Sequence, residues 1–339
     1  MKTFDVAVVG ATGAVGTALL EILAERKFPV GKLYALASER SAGSRVEFAG
    51  RDVVVQDLAG FDFAQAQIGL FSAGAKVSEQ YAPKAAAAGC VVIDNTSRFR
   101  NEADVPLVVT EVNPQALAGY KARGIIANPN CSTMQMVVAL KPIHDAAVIE
   151  RINVATYQAV SGAGRQAIES LARETALLLN GKPLEKGGKF PKQIAFNVLP
   201  QVDEFQDNGY TREEMKMVWE TQKILDPAIQ VNATCVRVPV FYGHSEAIHI
   251  ETRNKIGAGE VRALLAKAPG VVVLDERKPG GYPTPVTEAS GRDPVYVGRI
   301  REDLSHPRGV DLWVVSDNIR KGAALNSIQI AELLVKTYL

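Results

Sequence analysis

The chain has 339 residues, 47% hydrophobic and 22% charged, with 38 Lys plus Arg against 37 Asp plus Glu. A net charge of +1 gives no field able to gather a polyanion, so nucleic acid is not the expected partner, and the length suits two packed domains of roughly 150 residues each. The three cysteines, Cys90, Cys131 and Cys235, neither build a disulfide framework nor stand at metal-ligand spacing, and Gly10 and Thr12 interrupt the opening apolar run before it could serve as a signal peptide or membrane span. The expectation is a cytoplasmic protein with no metal and no membrane contact.

In chain order, residues 3–10 read as a β-branched strand ending at glycine, and 17–26 as a helix with apolar positions at helical spacing. Strand-like runs follow at 33–37, 53–55, 68–74 and 90–95, with an alanine-rich helix at 77–88. Further strand-like pieces at 107–112 and 124–127 lead into NPNCST at 128–133. Strands alternating with helices at these spacings predict a Rossmann-type, mostly parallel sheet covered on both faces. Beyond Cys131 the texture changes: helix over 134–140, strand over 151–158, helix over 167–179, then a Gly/Lys/Pro-rich excursion over 180–200. Strands at 231–239 and 245–252 read as a hairpin around FYGH, with extended segments at 289–300 and 310–316. These predict an α+β domain with a mixed sheet. The last stretch, 322–338, is an amphipathic helix whose apolar face must be buried.

Between the first strand and helix stands Gly10-Ala11-Thr12-Gly13-Ala14-Val15-Gly16. Glycines there let the backbone turn sharply and approach a pyrophosphate, which meets the free amides at the helix start. Near the end of the second strand, Ser38, Arg40 and Ser41 could hold a ribose phosphate, whereas Glu39 would suit an unmodified ribose; NADP(H) is favoured, with Glu39 turned to solvent. Ser72 and Gly74 follow another strand, where small side chains let a cofactor pass.

Cys131 enters a helix from a turn, a place where backbone amides stabilise a thiolate. Cys90 and Cys235 sit in apolar strands and read as core. A nicotinamide cofactor with a nucleophilic thiol implies chemistry on an aldehyde or acyl group through a thioester. Among four histidines, His244, in a Gly-His-Ser-Glu loop, is the best acid/base candidate, whereas His249 is flanked by isoleucines. Arg98 follows an Asp-Asn-Thr-Ser turn. Glu213 and Lys216 share a helix face and could be an exposed stabilising pair. Arg237, between two valines in a strand, needs either the solvent face or a counter-ion.

The ordered blocks GATGAVG, ASERSAG, NTSRFR, NPNCST, YQAVSGAG, EEMKM, RVPVFYGHSE and DNIRKGAALNSIQIAE together resemble the aspartate-β-semialdehyde dehydrogenase family over the whole chain. The resemblance implies NADPH-dependent reductive dephosphorylation of L-4-aspartyl phosphate to L-aspartate-4-semialdehyde and inorganic phosphate, on the way to lysine, methionine, threonine and isoleucine. By the same resemblance Cys131 is the nucleophile, Gln158 orients the intermediate, and His244 is the acid/base group. Arg237 would bind the substrate α-carboxylate, Glu213 the α-amino group, and Arg98 with Lys216 the phosphate, with Asn130 near the acyl site. Cofactor contacts map to the Gly10–Gly16 loop, Ser38, Arg40, Ser41, Ser72, Gly74, Ser161, Gly162 and Asn318. The implied organisation is an NADP-binding domain over 1–130 completed by 319–339, a catalytic and dimerisation domain over 131–318, and a homodimer. Two alternatives stay open: an N-acetyl-γ-glutamyl-phosphate reductase, which shares the chemistry but offers Glu213 no charged amine, and a non-catalytic dinucleotide-binding homologue.

Overall fold

A computed structural model describes residues 2–184 and 187–339; Glu185 and Lys186, inside the Gly/Lys/Pro-rich excursion, lie outside the described residues. The described chain divides into two compact units, Met1–Asn130 with Ala323–Leu339, and Cys131–Gly322.

The first unit is built on β1 (Phe4–Val9), α1 (Ala14–Glu25), β2 (Val30–Ala37), a small hairpin of β3 (Arg45–Phe48) and β4 (Arg51–Val54), β5 (Gln56–Asp57), β6 (Ile68–Phe71), α2 (Ala75–Ala87), β7 (Val91–Asp94) and β8 (Ile125–Ala127). Its main sheet has the order β5-β2-β1-β6-β7-β8, parallel throughout. β6 and β7 are buried at every residue, which is why they read as continuous apolar runs rather than alternating ones. Residues 107–112 do not form the expected strand: only Leu107 bridges, to Ala127, and Asn113 accepts from Val109 N–H and donates to the Leu107 carbonyl instead. The terminal helix expected over 322–338 begins later in the chain. A wide π-type turn over Arg320–Leu325 precedes the helix proper at Asn326–Thr337. That helix buries Ile328, Ile330, Ala331 and Leu334 within the first unit, and Glu332 takes a bidentate pair from Arg26 at 2.7 Å.

The second unit contains α3 (Cys131–Ala147), β9 (Ile149–Gln158), α4 (Arg165–Leu179), α5 (Arg212–Ile224), β10 (Gln230–Arg237), β11 (His244–Thr252), α6 (Ala258–Leu265), β12 (Val271–Val273), β13 (Val295–Glu302) and β14 (Gly309–Ser316); the terminal helix at Asn326–Thr337 is α7. The sheet order is β10-β9-β11-β14-β13-β12, with β9–β10 and β12–β13 parallel and the rest antiparallel. The hairpin expected around FYGH is therefore absent. β9 lies between β10 and β11, pairing with one in parallel and the other antiparallel. From Glu246 onward along β11, buried Glu246, Ile248 and Ile250 alternate with half-exposed Ala247, His249 and Glu251, so one sheet face is covered by helices and the other is open. The tail of the excursion is held by the unit's own core: Glu174 accepts from the Ile194 and Ala195 amides, and Ile194, Ala195 and Leu199 pack on Ala167 and Leu171 of α4.

Candidate active site

In the first unit the loop between β1 and α1 lacks side chains where they would collide. A Cβ on Gly16 would lie 2.1 Å from the Gly10 carbonyl oxygen, so helix and loop approach this closely only with glycine there. Gly10 itself has φ +89°, and a Cβ on it would meet the Ala73 nitrogen and Ser72 Oγ at 3.0 Å. Thr12 and Gly13 are exposed, Ala14 and Val15 half-exposed, and no side chain caps the helix at Gly13. Its first amides remain free for an anion. Gly74, at φ +99°, starts α2 in the same uncapped way with open space beside it. Ser38, Glu39 and Arg40 are exposed and Ser41 half-exposed where β2 ends, so the charged groups reach solvent. This constellation fits a dinucleotide: bare amides for the pyrophosphate, and a cation with two hydroxyls for a ribose phosphate.

Asn130 is buried at the end of the first unit, and the preceding residues are pinned. Arg100 Nε donates to the Asn128 carbonyl at 2.8 Å, while Asn128 donates to Asn95 and accepts from Asn326 Nδ2. Neither Arg100 nor Asn326 was singled out by sequence, although Arg100 lies in the NTSRFR block and Asn326 in the C-terminal one. Arg98 donates to Glu79 and Glu102 at 3.0 and 2.7 Å, and these carboxylates hold its pKa above the usual value.

In the second unit the polar groups gather at one edge of the sheet, where β9 and β10 end and the antiparallel β11 begins. Gln158 and Arg237 are in register, 1% and 6% exposed, and His244 is fully buried. A single residue fastens the last two: Arg237 Nη1 donates to the Ala159 carbonyl at 2.7 Å, and the Ala159 N–H donates to His244 Nδ1 at 3.0 Å. Since Nδ1 accepts, the proton of the neutral ring is inferred to sit on Nε2. His244 Nε2 has no hydrogen-bond partner among the described residues. Burial, and then the neighbouring Arg237 charge, push the His244 pKa down to about 3, against the pull of Glu213. The ring is neutral at physiological pH.

Glu213 is 6% exposed on α5 and accepts from Gln158 Nε2 at 3.3 Å and Lys216 Nζ at 3.0 Å; Lys216 also donates to Asp203 at 2.7 Å. The Glu213–Lys216 pair is thus not the exposed helix pair its spacing allows. Burial works against the Lys216 charge, but Glu213 and Asp203 outweigh it and leave its pKa raised. Burial lowers the Arg237 pKa, opposed first by Glu213 and next by the Cys131 sulfur. Arg237 therefore has the counter-ions that a cation between Val236 and Val238 requires.

Cys131 opens α3 and is half-exposed, unlike Cys90 and Cys235, whose thiols burial pushes up, to about 12 for Cys90. A Cβ on Gly322 would lie 2.7 Å from Cys131 Cβ, so glycine in the π-type turn lets that turn rest on the thiol-bearing residue. Ser161 and Asn318 bond each other at 3.0 to 3.2 Å, and Asn318 Oδ1 accepts the Gly243 N–H at 2.9 Å. A Cβ on Gly162 would stand 3.1 Å from Arg237 Nη1 and 3.3 Å from His244 Nε2, so the two rows meet at a bare glycine. The arrangement can pair an anion with Arg237, a cation with Glu213, and a neutral imidazole N–H with a developing oxygen.

Comparison with known proteins adds names to this geometry. Residues 5–120 match the family described as semialdehyde dehydrogenase, NAD binding domain, and 140–321 the one described as semialdehyde dehydrogenase, dimerisation domain. An aspartate-semialdehyde dehydrogenase of Shewanella violacea is 63% identical, with 99% of each chain covered. The crystal structure of aspartate semialdehyde dehydrogenase II complexed with ASA from Vibrio cholerae superposes with a TM-score of 0.98 at 59% identity, covering both chains fully. The Candida albicans aspartate semialdehyde dehydrogenase structure with NADP is 27% identical, with a TM-score of 0.77 over 98% of this chain and 99% of that one.

Proposed function

The chain belongs to the aspartate-semialdehyde dehydrogenase family, and from that membership we propose that it reduces L-4-aspartyl phosphate to L-aspartate-4-semialdehyde and phosphate through a thioester on Cys131. It uses NADP(H), in amino-acid biosynthesis. The observation that carries the substrate reading is the burial of opposite charges at one sheet edge. Arg237 and Glu213, each 6% exposed, suit the α-carboxylate and α-ammonium of one amino-acid head group. An acetylated amine carries no charge for Glu213 to meet, which disfavours the N-acetyl-γ-glutamyl-phosphate alternative.

Cys131 attacks the acyl carbon as thiolate, favoured by the amides at the start of α3 and by the Arg237 charge that its sulfur feels. The acyl–phosphate bond breaks and phosphate leaves; Lys216, and Arg98 in the other unit, are the cations assigned to it, each exchanging carboxylate partners for the phosphate. Gln158 orients the acyl group, and Asn130 immediately precedes Cys131 in sequence. NADPH, when bound, supplies the hydride for reduction. The Gly10–Gly16 loop with Thr12, Gly13, Ala14 and Val15 would hold its pyrophosphate, and Ser38, Arg40 and Ser41 its ribose phosphate. Ser72, Gly74, Ser161, Gly162 and Asn318 complete the cofactor contacts. His244 enters neutral, with Nε2–H as a donor to the developing oxyanion. Accepting the thiol proton, as the sequence suggests, requires the ring first to release the Ala159 N–H from Nδ1, because a protonated ring would set two donors face to face.

The open face of the second sheet carries a groove of about 730 Å³ lined by Ala155, Thr234, Ala247, Tyr282 and Trp313, and the second copy of a homodimer is assigned to it. Among the described residues no helix is long and apolar enough to cross a membrane; the site of action assigned is the cytoplasm.

The test is phosphate-dependent reduction of NADP+ at saturating L-aspartate-4-semialdehyde, run beside Cys131→Ala and with N-acetylglutamate-5-semialdehyde as competitor. Phosphate-dependent turnover of the free amine is expected, with a loss of about 10⁴-fold or more in the variant. Turnover of the acetylated substrate alone would overturn the reading of Glu213.

A further inference from the structure

Glu246 stands one strand repeat beyond His244 on the helix-covered face of β11. It is 0% exposed, and neither carboxylate oxygen has a hydrogen-bond partner among the described residues. Gln135 stands one helical turn beyond Cys131 on α3. It is 1% exposed, and its Oε1 and Nε2 likewise have none. Gln135 is also the side chain that reaches Glu246. Each element that supplies a reacting group to the site thus carries, one repeat deeper, a buried polar group, and these two groups meet.

The register gives the neighbours of Glu246 within the sheet. Glu246 pairs with Thr156 of β9 and Val314 of β14, and Thr156 with Cys235 of β10. The charges that share the surroundings of Cys235 with Glu246 are Glu213 and Glu214 of α5, both carboxylates. Burial raises the Glu246 pKa well above the carboxylate range, opposed only by Gln135.

An ionised carboxylate here would be a fully buried charge, far costlier than holding a proton. A carboxylic acid and a primary amide are complementary. The acid O–H donates to Gln135 Oε1, and Gln135 N–H donates to the acid carbonyl oxygen, whereas a carboxylate can only accept and makes one of the two bonds. The terminal torsions of both side chains are soft, so both bonds close by small rotations.

We propose that Glu246 is a positioning residue, carried as a neutral carboxylic acid, that pairs with Gln135 and fastens the strand bearing His244 to the helix bearing Cys131. The inference deepens the reaction proposed above and rests on it for its kinetic consequence, but the protonation state is read without turnover. Infrared difference spectra of the full-length wild-type protein against Glu246→Gln at neutral pH should show a carboxylic-acid C=O stretch present only in the wild type. An amide at 246 can still exchange two hydrogen bonds with Gln135, so Glu246→Gln keeps kcat within about threefold. Glu246→Leu and Gln135→Leu each lose about tenfold or more in kcat with little change in the KM for NADP+, and the double variant is no slower than either single one. Loss of carboxylate bands instead of the acid band would overturn the proposal. So would a Glu246→Gln variant as slow as Glu246→Leu, or losses that simply add. If the acid band is found but no variant or wild type turns over L-aspartate-4-semialdehyde, it is the reaction assignment that fails.

Discussion

At the loop between β1 and α1, side chains are missing wherever they would stand in the way, while at the edge where β9, β10 and β11 meet, charged and polar side chains are buried where water would ordinarily solvate them. The loop works through backbone: helix starts without a side-chain cap at Gly13 and Gly74, and a 2.1 Å gap at Gly16 that no Cβ could fill. The sheet edge works through mutual satisfaction, with Ala159 holding Arg237 and His244 and with Gln158 and Lys216 holding Glu213. A backbone site tolerates any change that keeps the amides bare. A site of buried charges tolerates almost none, since removing one partner strands the other.

The largest effect expected from this difference is at Arg237. Arg237→Lys keeps the charge but loses the planar fork that holds Ala159 and that, in the proposed reaction, would also hold the substrate carboxylate. The expected fall is about 10²-fold in kcat/KM for L-aspartate-4-semialdehyde, with the KM for NADP+ within about twofold. A fully active lysine variant would mean that charge alone suffices and that the sheet edge is no more exacting than the loop.

Next comes the loop itself. Gly16→Ala forces backbone apart, because the atom met at 2.1 Å is a carbonyl oxygen and not a flexible side-chain end. NADPH affinity, measured by fluorescence titration, should fall about tenfold and stability by about 1–3 kcal/mol, with substrate KM little changed. An unaltered affinity would show that the close approach of helix to loop has no part in cofactor binding.

The two regions also differ in how far they can be read from sequence. Strand, turn and helix around Gly10–Gly16 are local in the chain, so spacing alone exposes them. The sheet edge depends on which strands become neighbours. The run 231–252 reads as a hairpin because its two strands are close in sequence, but β9 intervenes, and only that insertion brings Gln158 between Arg237 and His244. Burial is equally non-local. Glu213 and Lys216 have the spacing of an exposed helix pair, and nothing in that spacing reveals the β10 strand and Asp203 that enclose them. The site residues themselves came from ordered blocks that resemble a family, not from periodicity, and Gln135, Glu246 and Arg100 escaped because their importance lies in what they touch.

The smallest effect separates the regions by pH, since the loop has no buried titratable group and the sheet edge has His244. Its pKa is lowered from 6.5 to about 3 in the folded protein by burial and by Arg237. The unfolded chain therefore binds the proton that the native ring refuses, and folding loses stability as pH falls from about 6.5 toward 3, at up to about 1.4 kcal/mol per pH unit in the middle of that window. Above pH 7 this loss vanishes, because the ring is neutral in both states. Urea midpoints of wild type and His244→Gln, compared at pH 7.5 and pH 5, should therefore diverge in one direction: the variant loses less on acidification. Equal losses would mean that His244 takes up its proton in the native state, and with that the neutral Nε2–H donor inferred from the Ala159 bond would have to be abandoned for an imidazolium that has turned away from Ala159.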